Sequence, residues 1–395
     1  MAKPSRTLTL LLIALVAFGP VSTDLYLPSL PDMTRVFQTS VSEVQLTLSV
    51  FIAGFAVAQL VYGPLSDHYG RRPVLLGGVV IYLAASLFCL SADSIHALIL
   101  GRFLQALGAC AGPVLGRAIV RDLYPRDQAA RVLANMASAM ALAPAVGPML
   151  GGALHSTFGW RANFAAMTVF AIGLIAVAWK LLPETNQHKD PHALAPLRML
   201  ANYIGLLKDP VFIGCTCCLA FLFAAMFSFI SGASFVVIDV LGVKPDHFGF
   251  CFAAVIVGYM SGSQIAARLT HRLGTQRMIA TGITLAVLSG LTLAGLAAAG
   301  IQTIAAVIAP MSLLFLSTSL VLPNCTAMAI APHARIAGSA SALLGFLQMS
   351  IATVAGWSVG KLHNGTSFPM TAVIAASTLA AMACYWGLVA RKKPA

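Results

Sequence analysis

The sequence predicts an all-α membrane protein, with twelve transmembrane helices arranged as two six-helix pseudo-symmetric bundles. Three observations predict it. Only 9% of the 395 residues are charged and 59% are hydrophobic, whereas a soluble domain carries about 25% charged residues. Apolar runs long enough to cross a hydrocarbon layer of about 30 Å, at about 1.5 Å per helical residue, recur twelve times. The basic residues between those runs fall overwhelmingly on alternate turns, as the positive-inside rule requires.

Taken in order, the runs lie roughly at 7–29, 44–63, 73–91, 95–120, 129–156, 162–182, 211–234, 247–268, 276–299, 302–330, 336–361 and 368–390. The first is too long for a signal-peptide core and meets no small-residue cleavage site, so it is read as a span. The one long polar segment, 183–209, separates six spans from six. The expected organisation is therefore a bundle over 1–182, a cytoplasmic linker loop over 183–209, and a second bundle over 210–395.

With both ends on one side, that side collects 18 of the 24 Lys and Arg, among them Arg71, Arg72, Arg121, Arg335 and the terminal Lys3, Arg391, Lys392 and Lys393. The other side has 4 (Arg35, Arg161, Lys244 and Lys361), and Arg102 and Arg117 lie within the fourth span. This asymmetry predicts cytoplasmic termini. The net charge of +12 is scattered singly between apolar runs, so it reads as topology and not as a nucleic-acid surface. The eight cysteines fit no metal spacing, and Cys215, Cys217 and Cys218 sit in one apolar run, where cysteine behaves as a small hydrophobe.

The halves echo each other. Gly70 and Gly274 are 204 residues apart, as are Gly152 and Gly356, and Tyr124-Pro125 is echoed by Ala331-Pro332 at 207. Parallel repeats of this kind are a transporter architecture with the site at the midplane between halves.

The densest charge lies in Gly63-Pro64-Leu65-Ser66-Asp67-His68-Tyr69-Gly70-Arg71-Arg72-Pro73. Gly63 and Gly70 would let helix ends approach and turn. Asp67 and Arg71 can pair across the turn, with Asp122 as a third member. These residues resemble the loop signature of the major facilitator superfamily, and the resemblance spans the whole chain. It implies a latch at Gly63, Asp67, Gly70, Arg71, Arg72 and Asp122 that favours the outward-facing state and breaks on opening inward. The simpler alternative is a turn with positive-inside anchors, although anchors need no aspartate.

In the fifth span, Ala143-Pro144-Ala145-Val146-Gly147-Pro148-Met149-Leu150-Gly151-Gly152 is similar to the superfamily's proton-antiporter motif, carried here by Pro144, Gly147, Pro148, Gly151 and Gly152. Such glycines let a neighbouring helix pack backbone to backbone, with generic close packing as the alternative. The fourth span's Arg102-Phe103-Leu104-Gln105-Ala106-Leu107-Gly108 resembles another family signature, Arg-x-x-Gln-Gly, with two residues between Gln105 and the glycine. The stretch around Asp24, with Arg117-Ala118-Ile119-Val120-Arg121-Asp122, resembles the bicyclomycin and chloramphenicol resistance (Bcr/CflA) subfamily of bacterial drug exporters.

An arginine within a span should face a cavity or a partner. Asp24 is the expected partner of Arg102, because both fall in the outer half by helix rise and the family packs its first and fourth helices together. A solvated helix end is the alternative for Asp24. No histidine falls mid-span, and the repeat puts Ser228 and Ala306 where the first half has Asp24 and Arg102. By elimination Asp24 is the candidate proton carrier. Tyr26, Gln105, Phe223, Phe227, Asn324 and Gln348 are the candidate substrate-lining residues, an aromatic and sparsely polar set that suits hydrophobic ligands.

The expected function is proton-coupled efflux of small hydrophobic drugs across a bacterial inner membrane by a monomer. It needs no cofactor beyond the proton gradient, no metal and no nucleic acid. Export of a natural metabolite, such as an amino acid or short peptide, is the alternative. No clustered catalytic or phosphate-binding residues support an enzyme.

Overall fold

The computed structural model describes residues 6–187, 189–191, 193 and 196–390. Among them there are twelve helices long and apolar enough to cross a membrane, and no strand. Lys3, Arg391, Lys392 and Lys393, counted with the basic side, lie outside the described residues.

The first span is longer than its hydropathy suggests, running Thr7–Val36. Helix α1 (Arg6–Asp24) stops at Asp24, a 3-10 turn follows over Leu27–Ser29, and α2 (Leu30–Val36) completes the crossing. The expected end of this span is near residue 29, but Pro28 and Pro31 do not stop it: they sit in the first turns of these two pieces, where a missing N–H costs nothing. The second and third spans, α3 (Val41–Tyr69) and α4 (Arg71–Leu90), meet at Gly70, whose φ of 111° only glycine adopts readily. Gly63, expected to share that turn, lies inside α3 with open space beside it, so the turn belongs to Gly70 alone.

The fourth span is broken at Cys110 into α5 (Ile95–Ala109) and α6 (Ala111–Leu123). Helices α7 (Arg126–Phe158) and α8 (Arg161–Leu181) finish the first half. The polar segment then holds a helix its composition did not announce, α9 (Pro196–Leu207). Its Leu200, Tyr203, Ile204 and Leu207 recur at helical spacing.

The second half comprises α10 (Pro210–Ser234), extended by a π turn to Val240, then α11 (Pro245–Leu273), α12 (Thr275–Ala298), α13 (Ile304–Ile330), α14 (Ala337–Lys361) and α15 (Phe368–Cys384). The α11–α12 turn repeats the Gly70 device at Gly274, φ 82°. All eight cysteines are free thiols, and Cys215, Cys218 and Cys325 sit in the apolar core of this half.

The halves meet along two related seams. Gly152 of α7 backs onto α11, where an added methyl would lie 2.5 Å from the Pro245 carbonyl oxygen. Its repeat partner Gly356 on α14 faces Ser49 of α3 and the Phe227 ring, and Gly360 lies against Gln45. Buried Gln45 also donates from Nε2 to the Ser231 carbonyl at 3.1 Å, tying α3 to α10. These contacts close the end away from the Gly70 and Gly274 turns. At the opposite, basic end a cavity of about 470 Å³ opens between the halves, lined by Gln59, Gly63, Arg117, Arg335 and Ala342 among others.

Candidate functional site

Arg102 is fully buried on α5, and its environment consists of neutral groups. Its Nη1 donates to the Ser22 carbonyl at 3.0 Å and to Gln105 Oε1 at 2.5 Å. Gln105 lies three residues on, over the same helix face, so the two extra residues before the glycine do not displace it. Gln105 Nε2 donates to Ser86 Oγ at 2.8 Å, and Ser86 donates to the Tyr82 carbonyl. The Tyr82 hydroxyl lies 2.6 Å from Ser22 Oγ, which itself donates to the Phe18 carbonyl, so Tyr82 is the donor of that pair. By the same accounting Tyr26 donates to Thr47 at 2.8 Å, because Thr47 donates to the Val44 carbonyl.

The guanidinium lies over the rings of Phe51 (4.3 Å) and Tyr26 (5.0 Å). Its Nε and Nη2 have no acceptor among the described residues. A buried cation faced by π-systems and two neutral oxygens, both on Nη1, retains an appetite for an acceptor.

The expected Asp24–Arg102 pair is not formed: no ion pair or hydrogen bond to the Asp24 carboxylate occurs among the described residues. Helix geometry explains it. Ser22 and Tyr26, four residues apart, share the face that Arg102 meets, while Asp24 lies about 200° round from Ser22. That turns it toward α7. An added methyl on Gly147 would lie 2.9 Å from Asp24 Cβ, and one on Gly151 would lie 2.7 Å from the Leu25 carbonyl carbon. Asp24 is 3% exposed, at the residue where α1 stops. Gly147 and Gly151 therefore hold the fifth span against the Asp24 break, while Gly152 faces the other half. Pro144 and Pro148 lie inside α7 beside them.

The remaining lining candidates disperse. Phe227 is buried beneath Gly356, while Phe223 and Gln348 are half-buried. Asn324 belongs elsewhere, donating to the Leu320 carbonyl at 2.8 Å and to Thr270 Oγ1 at 3.4 Å, between α13 and α11 toward the basic end. Composition marks such residues as polar but says nothing of the face they occupy.

The 63–73 loop assembles as its charges suggest. Arg71 Nη1 donates to Asp67 Oδ1 at 2.5 Å and to Ser66 Oγ at 2.6 Å, and its Nε reaches Asp122 Oδ2 at 3.2 Å. Arg72 Nη2 donates to the Trp179 carbonyl at 2.8 Å. The cluster is intact although the cavity opens at this end. Its members all belong to the first half, so parting the halves does not stretch it.

Sequence reasoning missed its other partners. Glu184, just past α8, accepts the first two N–H groups of α4 from Arg71 (2.9 Å) and Arg72 (3.2 Å), an N-terminal cap supplied from a distant segment. Partial burial works against its charge. Hydrogen bonds from backbone N–H groups of Asn186, Arg71, Arg72 and Thr185 outweigh it and hold the carboxyl below the usual range. Asn186 Nδ2 donates to the Ser66 and Asp67 carbonyls, and Thr185 donates to Asp122. A lone carboxylate directly after a span, opposite a glycine turn, was the available signal.

The model of the Major Facilitator Superfamily matches residues 10–357. The chain belongs to this superfamily. It is 29% identical to a bicyclomycin resistance protein homolog of Haemophilus influenzae, over 94% of this chain and 93% of that one. It is 30% identical to a chloramphenicol resistance protein of Pseudomonas aeruginosa, over 97% of this chain and 90% of that one. These relatives place it in the superfamily's bicyclomycin and chloramphenicol resistance branch. A bacterial homolog of the human lysosomal transporter Spinster, solved in an inward-facing and occupied conformation, shares the fold with TM-score 0.75 at 15% identity, covering 100% of both chains. As a member of this superfamily the chain is a multi-pass membrane transporter and not an enzyme.

Proposed function

We propose that this transporter exports small, largely hydrophobic drugs across a bacterial inner membrane in exchange for protons, with its basic end and both termini in the cytoplasm. The observation that carries the reading is Asp24, buried without a counter-charge at a helix break and held there by Gly147 and Gly151. Burial penalises the charged form of a carboxyl, so loss or gain of a proton there changes what the first span can lie against. Arg102, Gln105 and Tyr26 form a preorganised polar cluster on the face turned away from Asp24, and Phe223, Phe227 and Gln348 supply softer surface from the second half. Names of relatives in bicyclomycin and chloramphenicol resistance support the substrate class. A monomer suffices.

The halves rock about the glycine seams. Drug enters at the basic end, the far end opens, and a proton taken up at Asp24 resets the carrier. The loop cluster stabilises the first half throughout. Asp24→Asn in proteoliposomes should still bind drug yet fail to accumulate it against a gradient when a pH difference is applied. Undiminished uphill transport by that variant would remove Asp24 from the coupling.

A second reading, export of an amino acid or short peptide, draws support from the two unused donors of Arg102, which suit a carboxylate. Competition of labelled drug by zwitterions, abolished in Arg102→Gln, would favour it.

A further inference from the structure

The cavity at the basic end carries chemistry that neither the loop cluster nor the buried Asp24 region uses. Arg117 and Arg121 project from α6 one helical turn apart, and Arg335 enters from the second half just before α14. Arg117 lies among enough neighbouring atoms to feel Arg121 directly, yet its side chain is exposed to the cavity. Its Nε donates to the Pro113 carbonyl at 2.8 Å, leaving both terminal nitrogens for the cavity. None of the three arginines makes an ion pair among the described residues. Asp67 and Asp190 share the rim, but Asp67 is bound to Arg71, and neither aspartate bridges to these arginines.

Positive-inside anchors face lipid headgroups at the membrane surface. Arg117 instead sits six residues inside the end of its span, about 9 Å by helix rise, and faces the gap between halves. Two like charges at i and i+4 repel each other. A third facing them across a gap makes the arrangement costly until an anion enters. Val114, Met199 and Ile336 supply apolar surface in the same cavity, and its 470 Å³ falls within the range of about 300–1,000 Å³ for small-molecule sites.

We infer that this vestibule is a binding site for amphiphilic oxyanions, a carboxylate, sulfonate or phosphate ester on an apolar body, gripped between Arg117 and Arg121 of one half and Arg335 of the other. The occupant comes either from solution, as a soluble organic anion, or from the bilayer, as an acidic lipid headgroup. The site is separate from Asp24 and independent of the direction of transport or its coupling.

The test uses the full chain in phosphatidylcholine nanodiscs with labelled naphthalene-2-sulfonate as probe and naphthalene-2-sulfonamide as its neutral match. Saturable sulfonate binding is expected, and the sulfonamide should fail to displace it. Arg335→Gln, an exposed substitution that folding should tolerate, should weaken binding by about tenfold, the loss of one charge-assisted contact. Arg121→Gln should weaken it similarly. Arg161→Gln removes an arginine from the far end and should leave affinity unchanged, which excludes an effect of net charge. Competition by phosphatidylglycerol in the nanodisc would identify a headgroup as the source, and its failure to compete a soluble anion. Native affinity in Arg335→Gln, or equal displacement by the sulfonamide, would overturn the inference.

Discussion

Gly151→Ala tests whether the fifth-span motif is a packing device aimed at the Asp24 break. Its methyl would lie 2.7 Å from the Leu25 carbonyl carbon, where ordinary contact begins at 3.4 Å. The obstacle is backbone, which has no rotamer to escape into, and the Leu25 carbonyl oxygen lies closer still, so α7 and α1 must part by more than that difference. Overpacking typically costs about 1–3 kcal/mol, and an immovable neighbour puts this case near 3. Extending the size dependence of melting shifts to this chain length, roughly 1–2 °C per kcal/mol, gives a fall of about 3–6 °C. Heating detergent-solubilised protein and measuring the surviving monodisperse fraction by fluorescence-detected size exclusion reads this directly. Gly63→Ala is the matched control. It makes the same change inside a helix with nothing within 4 Å, and should be neutral or stabilising by roughly 0.5–1 kcal/mol. If Gly151→Ala melts with the native chain, the motif's glycines do not hold the first span, and Asp24 does not sit at a built seam.

The other predictions concern the seams and the loop. Gly152→Ala adds a methyl 2.5 Å from the Pro245 carbonyl oxygen across the seam between halves, so it should shift the carrier toward opening at the far end. Faster thiol labelling of a cysteine placed at Asp246 would report this, and an unchanged rate would count against it. Asp67→Asn weakens the hold on Arg71 and should lower the melting temperature while leaving drug binding and turnover nearly intact, with an unchanged melting temperature or lost binding the contrary result. Glu184 has its carboxyl held low in the folded state. Its stabilising effect is therefore complete above its unfolded value, about 4.3, and drains away as pH falls through the lower folded one. Glu184→Gln should flatten the acid limb of a melting-temperature profile, and a limb as steep as the native one would show that the cap does not matter.

Spans and turns were readable because they depend on length, hydropathy and charge side, which a one-dimensional string carries. The Asp67–Arg71–Asp122 cluster was readable for a related reason: two of its members are local, and the third ends a neighbouring helix. What failed was orientation. Asp24 and Arg102 were placed at compatible depths, yet two residues of helix rotation separate the Asp24 carboxylate from the face that Ser22 and Tyr26 present. The continuation of the first span to Val36 was hidden because prolines at first turns look the same in sequence as prolines that end a helix. Asn324 was misplaced because polarity inside an apolar run marks a need for a partner without naming the partner. Glu184 and Tyr82 act across long sequence separations, which hydropathy does not register.

The seams of Gly152, Gly356 and Gly360, with Gly249 of α11 packed on Met149 of α7, bear on how such a carrier survives repeated use. A joint made by interlocking large side chains must re-sort many rotamers each time it closes, and any one may jam. A joint with glycine on one face sets bare backbone against Pro245, Ser49, Gln45 and Met149, so only one of its two faces carries side chains to re-sort. It can part and re-seat in the same register, much as a dry bearing returns to its track. The same property makes it easy to sabotage, since one added carbon at any of these four positions is a wedge. Such wedges would give a graded set of carriers stalled at different openings, each a means of trapping a step that the native chain passes through too quickly to see.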